Sequence, residues 1–93
     1  MMPEAHAGVE ARVRAALADE LCCKPSLVRP DSTLADLPGL DSLKLLRVIA
    51  ALEAEFDIGL DDEMLYSLRT VSDVTAIITE ELTVLALLAD RRP

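Results

Sequence analysis

The residues with chemistry to offer stand together at Asp41-Ser42-Leu43. Pro38 and Gly39 break whatever precedes them. From Leu43 onward apolar residues recur at Leu43, Leu46, Ile49/Ala50, Leu52/Glu53 and Phe56, the three-and-four spacing of a helix. Asp41 or Ser42 can cap that helix. A hydroxyl is thereby placed at a helix mouth, where unpaired backbone N–H groups and a partial positive charge favour an anion, so a phosphate esterified to Ser42 would be tolerated there.

The rest of the chain offers no catalytic constellation. The single histidine, His6, reads as part of a frayed tail, and no Gly-x-Ser-x-Gly elbow or phosphate-cradling glycine loop is present. Cys22 and Cys23 are adjacent, a spacing unsuited to a disulfide or a metal pair, and read as reduced thiols, buried or half-buried at a helix end. Asp57–Glu63 is acidic and holds Gly59, but it lacks the alternating oxygen ligands and final glutamate of a calcium loop. No enzyme and no metal site is expected.

The elements that must hold Ser42 in place follow from the same patterning. Val9, Val13, Ala16/Leu17 and Leu21 predict a first helix from about Glu4 to Leu21, ending near Cys22–Lys24 ahead of Pro25. Residues 25–40 read as a long loop anchored at Leu27, Val28, Leu34 and Leu37. After the Ser42 helix, Gly59 is the expected breaker, and Asp61-Asp62-Glu63 begins a brief helical turn through Met64, Leu65 and Leu68. Thr70-Val71-Ser72-Asp73 then caps a last helix with a core stripe of Val71, Val74, Ile77/Ile78, Leu82, Leu85 and Leu88. That helix is expected to run to Ala89, roughly 28 Å at 1.5 Å per residue, with Arg91 and Arg92 at its negative end. Thr83–Ala89 carries more apolar residues than one stripe needs, since Val84 and Leu87 lie on another side.

Ninety-three residues make one small domain able to fold without staples, and an apolar share of 52% with only 2% aromatics points to helices packed through aliphatic side chains. The net charge of −8 disfavours nucleic acid and anionic membrane and favours basic docking surfaces. No apolar run approaches a bilayer span, and the first residues lack the order of a signal peptide. A cytoplasmic, monomeric protein is expected.

The order of these parts, with Asp41-Ser42-Leu43 opening a helix that closes on Glu53-x-Glu55-Phe56, Asp31-Ser32-Thr33-Leu34 in the long loop and the Thr-Val-x-Asp start of the last helix, resembles the acyl carrier protein family over roughly residues 9–82. The resemblance implies an all-α four-helix bundle with a long first loop and a short third helix. It also implies that Ser42 carries 4′-phosphopantetheine, attached from coenzyme A by a phosphopantetheinyl transferase with Mg²⁺, and that Asp41 helps present metal to that transferase. The reactive sulfur would then be the arm's own thiol rather than Cys22 or Cys23. Acyl-loading, acyl-transfer and condensing enzymes are the implied partners, with acyl or polyketide thioesters as cargo on a free-standing carrier. A peptidyl or aminoacyl carrier of a nonribosomal pathway, and an unmodified acidic interaction module, stand as alternatives. Docking is expected to involve Lys44, Leu45 and Arg47 at the start of the Ser42 helix and Glu53, Asp61, Asp62 and Glu63 further on. The basic pair departs from the acidic face common in the family.

Overall fold

The computed structural model describes the backbone of residues 3–90 and the side chains of residues 8–89; the side chain of His6, and Arg91 and Arg92, lie outside the described residues. Four α-helices are found there, α1 (Pro3–Leu21), α2 (Ser42–Phe56), α3 (Asp62–Leu65) and α4 (Val71–Asp90). Two 3₁₀ turns, Pro25–Leu27 and Leu34–Asp36, punctuate the loop after α1. The helical backbone of α1 passes through His6, which the sequence suggested was frayed. No strand is present among the described residues beyond a single bridge between Thr33 and Thr70, and the architecture is the expected all-α bundle.

Helix α1 lies along both α2 and α4. Its Val9, Val13 and Leu17 meet Val48, Ile49 and Leu52 of α2 and Val71, Val74 and Ile78 of α4 in one continuous core. Leu17, Leu52 and Ile78 are wholly removed from solvent, each such burial being worth roughly 1.5–3 kcal/mol relative to exposure. The stripe of α2 is rotated from the expected one. Leu45, Val48, Ile49 and Leu52 turn inward, whereas Leu43 and Leu46 remain 60% and 51% exposed. Apolar side chains occur on more than one side of this helix, and only the position of α1 selects which side is covered.

The helix ends also carry information. α1 closes where Cys22 adopts φ 57°, with the Cys23 N–H donating to Ala18 O at 2.9 Å and the Cys22 N–H to Asp19 O at 3.3 Å, a left-handed cap completed before Pro25 is reached. Cys22 is exposed rather than buried, and Cys23 is half-buried. α2 ends in the same manner at Asp57, φ 57°, with the Ile58 N–H reaching Glu53 O at 3.0 Å. Gly59 is therefore not the breaker. It keeps a negative φ, and Ile58, one residue earlier, turns into the core.

The loop of residues 22–41 is pinned from two sides. Val28, Leu34 and Leu37 are buried anchors, but Leu27, expected among them, is 63% exposed. The Arg14 guanidinium donates to Val28 O at 2.6 Å. At the far side the Leu34 N–H donates to Arg69 O at 2.8 Å and the Val71 N–H to Ser32 O at 3.0 Å, which ties the loop to the start of α4. That start is held by a reciprocal cap, the Asp73 N–H donating to Thr70 Oγ1 while Asp73 Oδ2 accepts from the N–H groups of Thr70 and Arg69. These amide bonds hold the Asp73 carboxyl below its usual value. Beyond Leu82 the core stops. Leu85 and Leu88, expected on the core stripe, are 39% and 57% exposed.

Candidate functional site

Ser42 is the first residue of α2, and the cap is its neighbour. Asp41 has an extended backbone, and its Oδ1 accepts the Lys44 N–H at 2.8 Å. The Ser42 hydroxyl is thus not engaged in capping, and the side chain is exposed. The amides of Ser42 and Leu43 precede the first intrahelical bond and point toward the side from which an anion would approach. Gly39, at φ 84°, supplies the left-handed turn that lets the chain swing from the buried Leu37 into Asp41, a conformation that a side chain would strain.

Beside Ser42 lies a cleft of about 450 Å³, lined by Ser42, Leu45, Leu46, Asp62, Leu65 and Tyr66. Its walls are α2 on one side and the short α3 with the following turn on the other. Apolar side chains make most of this lining, and Tyr66, 86% exposed, stands at its edge. The α3 wall is set by the connection from α2, where Glu53 Oε2 accepts the Leu60 N–H at 2.7 Å. Sequence patterning did not reveal Leu46 and Tyr66 as neighbours of Ser42. Leu46 follows from helical spacing, being four residues on, but the approach of Tyr66 depends on how α3 docks.

The residues expected at a docking surface divide into three groups. Arg47 Nη1 pairs with Glu20 Oε2 of α1 at 3.4 Å, and Lys44 is half-buried with its Nζ over the Gly39 turn. Leu45 packs against the core, and Glu53 is bonded within the fold. Asp61, Asp62 and Glu63 are exposed around the N-terminus of α3. Farther along the α1–α2 seam the Arg12 guanidinium grips both oxygens of Glu55, and the hydrogen bond from Arg12 holds the Glu55 carboxyl below its usual value. Among the described residues no group of histidine, cysteine, aspartate and glutamate is placed to hold a metal ion, and no helix is long and apolar enough to cross a membrane.

Comparison with known proteins bears on this site. A family model described as "Phosphopantetheine attachment site" matches residues 11–78. The acyl carrier protein of Thermosynechococcus vestitus is 37% identical over 70 residues, a stretch covering 75% of this chain and 86% of that protein.

Proposed function

The chain belongs to the acyl carrier protein family, and from that premise we propose that Ser42 is the attachment point and that the protein carries acyl or polyketide intermediates. The family's cofactor is 4′-phosphopantetheine, a flexible arm whose terminal thiol holds an acyl group as a thioester when bound. The residues present fit such a group. An exposed hydroxyl stands at the first position of a fifteen-residue helix, its neighbour performs the capping, and an apolar cleft opens beside it.

Each residue has a definable part. Asp41 fixes the first turn of α2 and so the direction of the Ser42 Oγ. It also brings a carboxylate next to the hydroxyl, where a transferase and its Mg²⁺ can read it. The amides at the helix start favour a phosphodiester by charge–dipole attraction of about 0.3–1 kcal/mol. Leu45, Leu46 and Leu65 offer an apolar wall to an aliphatic chain and exclude water from it. Asp61, Asp62 and Glu63 present acid to basic partner enzymes, whereas Lys44 and Arg47 present the opposite sign at the start of α2.

The observation that carries this reading is the position of Ser42, uncommitted and exposed at the mouth of α2. The test is intact mass after incubation with coenzyme A and a phosphopantetheinyl transferase. The unaltered chain is expected to gain the mass of the arm, and Ser42→Ala to gain nothing while keeping its fold. An alanine variant that still gained the arm would place the attachment elsewhere.

A further inference from the structure

The cleft beside Ser42 has one wall that the fold itself does not use. Tyr66, the only tyrosine of the chain, lines it together with Leu45, Leu46 and Leu65, yet it is the most exposed of the large hydrophobic side chains among the described residues, at 86%. Its backbone is held on both sides. The Tyr66 N–H donates to Glu63 O at 3.3 Å and the Leu68 N–H to Leu65 O at 3.3 Å. The Ser67 hydroxyl donates to Met64 O at 2.8 Å, and Leu65 and Leu68 pack against the core. The turn after α3 thus sets where the ring is attached, while the ring is left to swing about two side-chain bonds.

Ring and cleft are matched in chemistry. An aromatic ring with a phenol at its tip suits a boundary that is apolar on one side and wet on the other. Ser42 also lines the cleft, so a group esterified to its Oγ begins there. A chain borne on that group needs no second molecule to bring it to Leu46, one helical turn on, or to Tyr66 on the facing wall. A ring folded inward over such a chain buries apolar surface on both. The remaining lining residue is Asp62, which is exposed. Its carboxylate sets a like charge against any chain that ends in a carboxylate and none against a chain that ends in a methyl group.

We propose that Tyr66 is the closing wall of this cleft: its ring folds over a neutral, apolar acyl chain borne on the Ser42 arm, and Asp62 turns away chains that end in a carboxylate. This rests on Ser42 as the attachment point and adds to it a residue that selects cargo. Tyr66 acts by contact with the chain and takes no part in attachment.

The test loads the full chain with octanoyl or succinyl arms from the corresponding coenzyme A thioesters, checks the load by intact mass, and reads tyrosine emission and the thermal midpoint. With one tyrosine and no tryptophan, emission reports Tyr66 alone. The octanoyl form is expected to shift emission and to raise the midpoint above that of the chain bearing the bare arm. The rise should correspond to about fivefold or more in the folding equilibrium, about 1 kcal/mol. The succinyl form is expected to do neither. Tyr66→Ala should leave the midpoint of the unloaded chain unchanged, because the ring is exposed, and should remove most of the octanoyl increment, which Tyr66→Phe should restore. A chain that gains no arm, or gains it equally as Ser42→Ala, overturns the attachment reading and this proposal with it. A loaded chain whose octanoyl increment is undiminished in Tyr66→Ala, or whose succinyl form matches the octanoyl one, overturns this proposal alone, as does emission that responds only to an added partner enzyme.

Discussion

Asp41 performs two tasks that substitution can separate. Its Oδ1 accepts the Lys44 N–H at 2.8 Å, and its negative charge lies beside the serine that we assign to modification. Asp41→Ala removes both. Loss of an N-cap costs about 1 kcal/mol, and in a domain of this size that lowers the melting temperature by roughly 4–8 °C. Asp41→Asn keeps a side-chain oxygen in the capping position and removes only the charge, so its stability should stay within about 0.3 kcal/mol of the parent, since asparagine and aspartate cap almost equally. Loading by the transferase should nevertheless fall in the asparagine variant. Two unit charges about 4 Å apart in water interact by about 1 kcal/mol, and Mg²⁺ doubles one of them, so a loss of roughly fivefold or more is expected. Thermal denaturation followed by circular dichroism, with time-resolved intact mass for loading, measures the two effects on the same samples. An asparagine variant loaded at the parental rate would show that Asp41 acts through the cap alone. An alanine variant of unchanged stability would refute the capping argument itself.

Further outcomes follow from other parts of the fold. Asp57→Gly should stabilise the protein by roughly 0.5–1 kcal/mol, because Asp57 holds φ 57° at a position that glycine adopts without a Cβ clash; Gly59→Ala, at a negative φ with open space around its Cβ, should be tolerated, and urea denaturation compares the two. The Asp73 carboxyl is lowered from its ordinary value of 3.8 by the Arg69 and Thr70 amides. Its contribution is therefore complete above the unfolded-state value and is lost as pH falls through the folded-state one. Denaturation midpoints taken between pH 6 and 2, spanning that ordinary value of about 3.8, should decline less steeply in Asp73→Asn than in the parent. Lys44→Asp with Arg47→Glu should change transfer rates with the native partner by more than about twofold, or 0.4 kcal/mol, and differently at low and moderate salt; equal rates would leave Asp61–Glu63 as the docking surface.

Local chemistry was legible in the chain itself. The Asp41-Ser42 step after Pro38-Gly39, the Thr70/Asp73 box and the three-and-four apolar spacing are interactions between residues a few positions apart, and they fixed the number of helices, their starts and the place of Ser42. Packing between distant segments decided the remainder. Leu43 and Leu45 are equally apolar and two positions apart, and which of them is covered depends on where α1 lies across α2. Helix α2 ends at Phe56 as its patterning indicates, but the left-handed cap falls on Asp57 and not on Gly59, and Ile58 turns into the core directly after it. The cleft beside Ser42 exists only once the Glu53–Leu60 bond and the core contact of Leu65 have set α3 against α2. Leu85 and Leu88 share the period of Val74 and Ile78 yet stay 39% and 57% exposed outside the core, since periodicity states which residues share a face and only tertiary packing states how far along it the core reaches.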